Sequence, residues 1–228
     1  MGVAASQLFD PTVYRVEDDV GEHEIQTYIL ELLRPLVERY LKKENVHAHV
    51  GSDQFIYWIQ YDPQACVAPD LYVLPGVSQD IAIDVWKVWE RNVVPSFVLE
   101  VVGRDPHKDY ERAPHRYAML GVKELVVFDP FADDERTTFN VYRQDSAGLR
   151  HVESTDGDRV RSHQLGCFLR VVGTGAATRL RLSVGDTGDE LVPTGEEAER
   201  AAKEAERAAK EAALQRIEEL EAELSRRH

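Results

Sequence analysis

Pro69-Asp-Leu-Tyr-Val-Leu74 and, after it, Phe97-Val-Leu-Glu-Val-Val102 are the two runs whose reading decides the fold. Each is a short apolar segment of strand character, and each carries one acid, Asp70 and Glu100. Asp70 follows a proline and on its own reads as a turn residue. Glu100 sits among Phe97, Val98, Leu99, Val101 and Val102, a pattern of a strand buried on both faces. An ionised carboxylate is rarely buried without a partner or a cation. Two such acids on neighbouring strands would make a site for a hard divalent metal held by oxygen ligands, Mg²⁺ or Mn²⁺. A buried salt bridge is the alternative for Glu100.

Working outward, the residues between and beyond these runs form an ordered series. It comprises Ala68-Pro-Asp70, Pro95-Ser-Phe-Val-Leu-Glu-Val-Val102, Lys108-Asp109, Tyr117-Ala-Met-Leu-Gly-Val-Lys-Glu124 and Phe128-Asp-Pro130. This series resembles the PD-(D/E)XK nuclease superfamily and, more narrowly, the Uma-two family of bacterial restriction endonucleases, over roughly residues 22–190. The resemblance implies a restriction-endonuclease-like α/β (α+β) fold, a mixed sheet flanked by helices. It implies a DNA-cleaving hydrolase in which Asp70 and Glu100 bind Mg²⁺ and a lysine assists. The superfamily lysine lies two residues after the glutamate, where this chain has Val102, and the small residue often found next is Gly103. The lysine that the Uma-two branch carries four residues before its tyrosine is replaced by Ala113, counting from Tyr117. Lys108 is the nearest lysine and the candidate for the catalytic cation, with Arg116 next. Asp109, which matches a family position, reads as the N-cap of the following helix, with an outer contact to the site as the alternative. Glu24 reads as a solvated acid in the first turn of the first helix, in a region where some superfamily members supply a further acid.

Charge bears on the partner. The formal net charge is −14; the tail from Thr194 carries ten Glu against seven Lys and Arg, which leaves −11 to the rest. Proteins that grip duplex DNA through many phosphates present a basic surface, so the acidic balance favours a competing reading: a catalytically impaired copy of the fold that acts as a binding or assembly module. The densest basic group is Arg104, His107, Lys108, Arg112, His115 and Arg116, beside the proposed site.

The 228 residues, 43% of them hydrophobic, suffice for one core of about 150–190 residues plus an appendage. No apolar run reaches the length of a membrane span, and residues 1–20 show no secretory pattern. Two cysteines without CxxC spacing argue against a zinc or disulfide framework, so the cytoplasm is the expected setting. No phosphate loop or nucleophile elbow is present. His47 and His49 form no convincing metal set, and Trp58, Trp86 and Trp89 read as core or rim aromatics.

The patterning divides the chain into a loose arm over 1–20, a domain over 21–192 to which the resemblance assigns the restriction-endonuclease-like fold, and a charged helix over 193–228. Within the domain, apolar residues at helical spacing over 22–43 give a helix that Pro35 should kink or divide. Residues 49–60 read as one strand, followed by strands near 70–74 and 97–102. A helix runs from about Tyr110 to Leu120 and stops at Gly121, and a strand follows at 125–128. Short strands over 138–191 predict an antiparallel extension. Beyond Pro193, Thr194 and Glu197 fit a capping box. Glu-Ala-Glu-Arg-Ala-Ala-Lys then repeats at 197–203 and 204–210, and Ile217, Leu220 and Leu224 continue the seam. That seam predicts one helix, either a solvated charged rod or a coiled coil joining two copies.

Overall fold

In the computed structural model, residues 24–103 and 108–227 are described, with the backbone alone for Lys108 and Arg227. The expected arm over 1–20, Arg104 and His107 lie outside the described residues. In chain order the elements are α1 (Glu24–Lys43), β1 (Ala48–Gly51), β2 (Phe55–Tyr57), β3 (Cys66–Val67), β4 (Leu71–Pro75), β5 (Val85–Lys87), α2 (Val88–Arg91) and β6 (Phe97–Val101). A π-helical turn (Lys108–Arg112) leads into α3 (Ala113–Leu120), then β7 (Glu124–Phe128), β8 (Phe139–Asp145), β9 (Gly148–Thr155), β10 (Arg159–Arg161), β11 (Phe168–Val172), β12 (Arg179–Val184), β13 (Glu190–Leu191) and α4 (Gly195–Arg227). Two compact units divide the chain, Met1–Val192 and Pro193–His228.

The first unit has the mixed α/β architecture that the sequence predicts. Its central sheet runs β1-β4-β6-β7-β8-β9. Only β6 and β7 are parallel there, and the π turn with α3 supplies the crossover between them. Of the antiparallel extension expected over 138–191, β8 and β9 join the central sheet and β10-β11-β12-β13 form a separate antiparallel sheet. A small third sheet, β3-β2-β5, lies in the α3-side core. Leu33, Leu36 and Val37 of α1 pack with Leu99, Val126, Leu169 and Leu180 to fill one core. Val98, Val127, Tyr117 and Leu120 fill the other. The central sheet is thus covered on both faces, which is why β6 and β7 read as near-continuous apolar runs.

Three local expectations change. Pro35 does not divide α1. Its ring lies on the exposed face, so the carbonyl that loses its donor meets water, while buried Leu33, Leu36 and Val37 hold the helix to the core. The single strand over 49–60 is two strands in two sheets, β1 and β2, because Asp53 takes a positive φ of 63° and donates its amide to Pro69 O at 2.9 Å. The helix expected from Tyr110 opens with the π turn: Pro114 has no N–H for the carbonyl four residues back, which favours a wider turn before it. Its end at Gly121 is as expected, in a left-handed conformation at φ 87° that only glycine adopts freely.

The capping box forms, with Thr194 N–H donating to Glu197 at 2.8 Å and Glu197 N–H to Thr194 Oγ1 at 3.2 Å, and α4 follows as one helix of 33 residues. Among the described residues, no helix is long and apolar enough to cross a membrane.

Burial leaves a mark on the pH dependence of stability. Cys167 is buried beside Tyr40, and desolvation pushes its thiol from 9.0 up to about 12; Tyr40 rises to about 12 for the same reason. The unfolded thiol ionises near pH 9 while the folded one keeps its proton, so this contribution is complete below pH 9 and is lost as the pH rises toward 12. Thermal melts from pH 8 to 11 should show a falling midpoint above pH 9, with a shallower fall in Cys167→Ala. Equal slopes in the two proteins would contradict this assignment.

Candidate functional site

Residue parity on β4 and β6 decides which side chains share a face. Leu71, Val73, Phe97, Leu99 and Val101 belong to the core under α1, whereas Tyr72, Leu74, Val98 and Val102 belong to the core under α3. Side chains alternate along a strand, so Glu100 points to the α3 side. The antiparallel register Leu71↔Leu99, carried one step further, sets Asp70 opposite Glu100. Directly opposed residues share a face, with Cβ atoms about 4.5–5.5 Å apart. The Asp70 carboxylate accepts the Val101 amide at 2.6 Å, which ties the strands together where the ladder ends.

Glu100 is 4% exposed and Tyr117, on α3, is 1% exposed. The Tyr117 hydroxyl donates to Glu100 Oε1. Burial first, then the charge of Glu100 and the hydrogen bond to it, hold this hydroxyl well above the usual tyrosine range, and Asp70 and Asp109 push in the same direction. Tyr117 is therefore held as a proton donor to Glu100.

Asp109 departs from its expected role as a helix cap. It lies within the π turn, buried, and its carboxylate reaches back to the Gly103 amide at 3.2 Å. Glu24 is exposed and bonded to Tyr28, as a solvated acid would be. The α1 residue that reaches the site is Gln26, whose Nε2 donates to the Val101 carbonyl at 2.6 Å. A Cβ on Gly103 would come within 2.9 Å of Gln26 Nε2, the end of a flexible side chain, so a larger residue there would have to displace the Gln26 amide. Gln26 carried a legible signal: it falls on the buried stripe with Ile29, Leu30 and Leu33.

The expected cations fare unevenly. The backbone of Lys108 opens the π turn. Arg116 is engaged elsewhere: its guanidinium donates to the carbonyls of Gln64 and Cys66 and lies over the Trp58 ring at 5.8 Å. Val102 is wholly buried in the α3-side core. His49 is buried with its ring nitrogen on Ser78 O, and desolvation lowers its pKa. Among the described residues, no three His, Cys, Asp or Glu side chains converge as a metal cage. The donor set at the site is two opposed carboxylates. That suits a magnesium ion, which takes one or two carboxylates and fills its remaining positions with water and substrate oxygens.

A second buried acid, Glu124, has different surroundings. It is wholly buried at the start of β7 and accepts from Arg143 Nε at 2.9 Å, Ser162 Oγ at 2.5 Å and the amides of His163 and Gln164 at 3.0 and 3.1 Å. Four donors saturate it, which marks a structural link to the β10–β13 sheet.

Comparison with known proteins adds the following. The family model Uma2, described as "Putative restriction endonuclease", matches residues 13–169. A solved structure titled as a putative nuclease belonging to DUF820, from Anabaena variabilis, is similar at 14% identity with a TM-score of 0.45, covering 64% of this chain and 78% of that one. No curated protein matches.

The Tyr117–Glu100 bond has a measurable weight. Tyr117→Phe withdraws a donor from a buried carboxylate and should cost about 1–3 kcal/mol in denaturant unfolding. The loss should be much smaller in a Glu100→Gln background. Equal losses in both backgrounds would mean that the hydroxyl serves some other group.

Proposed function

The chain belongs to the Uma2 family of putative restriction endonucleases, and from that premise we propose that it is a Mg²⁺-dependent endonuclease that hydrolyses DNA phosphodiester bonds. The observation that carries this reading is the opposition of Asp70 and Glu100 on one face of a buried sheet. Both carboxylates would hold the metal, and Mn²⁺ could replace Mg²⁺. A divalent ion bound there lowers the pKa of a water and neutralises charge developing on the phosphate. The chain's own residues prepare that step. The Val101 amide fixes Asp70, Tyr117 orients Glu100, and Lys108, eight residues after Glu100, supplies positive charge at the scissile phosphate. This lysine does the work of the residue that Val102 replaces.

A second reading has its own support. The position after Val101 is an apolar core residue, the net charge is −14, and α4 carries exposed Leu214, Ile217, Leu220 and Leu224. On that reading the fold is a binding or assembly module that no longer cleaves. The α4 stripe Ala198, Ala202, Ala205, Ala209, Ala213, Ile217, Leu220 and Leu224 keeps one apolar face along the helix, and a second copy of α4 is its partner on either reading. Sedimentation should give a dimer for the full chain and a folded monomer for a chain ending at Val192. A full-length monomer at micromolar concentration would remove this pairing.

Cleavage of single-stranded, duplex and branched DNA, with and without Mg²⁺, separates the two readings. Wild type should cleave only with metal, and Glu100→Gln should abolish cleavage. Lys108→Ala should slow it about 10²-fold or more, the loss of one preorganised charge-stabilising group. Absence of metal-dependent cleavage on every DNA form would replace the enzyme reading with the module reading. Equal rates for wild type and Lys108→Ala would move the cation to another residue.

A further inference from the structure

Asp129 ends the strand next to Glu100's own. The parallel register pairs Val101 with Phe128, and Val102 N–H donates to Phe128 O at 2.8 Å. Asp129 follows one residue on, at the edge from which Glu100 leads into Gly103. It is 1% exposed. Its Oδ1 accepts the Phe131 amide at 2.8 Å, and its Oδ2 accepts the Tyr110 hydroxyl at 2.8 Å and faces Arg136 Nη1 at 3.1 Å. Arg136 also donates to Phe131 O and pairs with Asp133. The loop after β7 closes through Phe131 and Arg136 and through the backbone bonds Asp129 N–H to Thr138 O at 2.9 Å and Asp133 N–H to Arg136 O at 3.2 Å. Tyr110 comes from a different element, and its hydroxyl, closest to Asp129 at 2.8 Å, also lies 3.3 Å from Thr137 O of the same loop.

Tyr110 is the middle residue of the π turn Lys108–Arg112. That turn precedes Pro114, which removes one N–H from the helix ladder at this point. Two side chains tether it instead: Asp109 to the Gly103 amide on one side and Tyr110 to Asp129 on the other. Burial and the bond to Asp129 both keep the Tyr110 hydroxyl protonated, so it remains a donor. Insertions of π geometry into helices recur at functional sites, and this one carries Asp109, one of the acids around Tyr117, together with the backbone of Lys108.

We infer that Asp129 is a positioning residue: through Tyr110 it fixes the π turn, and with it Asp109 and Lys108, beside the Asp70–Glu100 pair. The functional part of this inference rests on the nuclease reading; the mechanical part does not.

Tyr110→Phe tests both in the full chain, since it keeps the ring's packing and removes only the donor. Hydrogen exchange of the amides of residues 108–112 should speed up about tenfold or more, as expected for loss of a hydrogen bond to a charged group. Protection in β6 and β7 should not change. The turnover rate should fall about 10²-fold, the order expected from misplacing a catalytic group by about 1 Å. KM for DNA should stay within about twofold, because an interaction confined to the transition state lowers kcat and leaves KM. Unchanged exchange in residues 108–112 would overturn the tether. Faster exchange with an unchanged turnover rate would overturn the positioning role. If wild type cleaves no DNA, the nuclease reading falls separately, and the exchange measurement still decides the tether.

Discussion

Removing an ionised carboxylate from water costs several kcal/mol unless other groups replace the lost solvation. The first unit of this protein is organised around that demand at Glu100. The side chain lies on a central strand between Val98 and Val102, under a helix, with almost no exposure. Tyr117 answers with its hydroxyl, which fixes how α3 sits on the sheet. Asp70 meets the Val101 amide, which pins β4 to β6 where their ladder ends. Glu124 shows what a purely structural solution looks like in the same sheet: a guanidinium, a hydroxyl and two amides surround it. Asp70 and Asp109 also act on the hydroxyl that serves Glu100, and both keep it protonated.

Helix α3 meets this demand only because of what precedes it. Pro114 cannot donate to the turn before it, and the chain opens there into π geometry. The wider turn presents Asp109 to the Gly103 amide and Tyr110 to Asp129. The crossover between the two parallel strands is thus anchored at the ends of both, by Asp109 behind β6 and by Asp129 behind β7. On the opposite face, Gln26 of α1 binds the Val101 carbonyl, and the missing Cβ of Gly103 leaves room for it. Each element bordering the acid pair is therefore held by a side chain bond as well as by apolar packing.

Where the sequence misled, it did so for local reasons. Alternating aromatics over residues 49–60 looked like one strand, and the break at Asp53 depends on a bond to Pro69 that has no sequence signal. Asp109 ahead of a helix looked like a cap, but a cap needs ordinary α geometry after it, and the chain instead forms a π turn. Arg116 looked near enough to serve the acids. Its position on α3 aims it at the carbonyls of Gln64 and Cys66.

The order of motifs, with an acid inside a doubly apolar strand, was enough to give the mixed sheet, the crossover helix ending at Gly121 and the capped terminal helix. These follow from short-range rules: strand alternation, glycine's tolerance of positive φ, and reciprocal capping. Glu100 stood out because a charge inside a doubly apolar strand is rare, and its pairing with Asp70 came from the order of motifs that carries the family resemblance. The sequence did not show which side chains surround them. Tyr117, Gln26, Asp109 and Asp129 reach this region from a helix, the opposite helix, a π turn and a strand end, across separations of up to 75 residues for Gln26 and Val101. Which of them meet is set by strand register and helix rotation, and a one-residue slip in either would send each of these side chains to another face. That choice is made only when the whole sheet closes, and so it belongs to the tertiary structure.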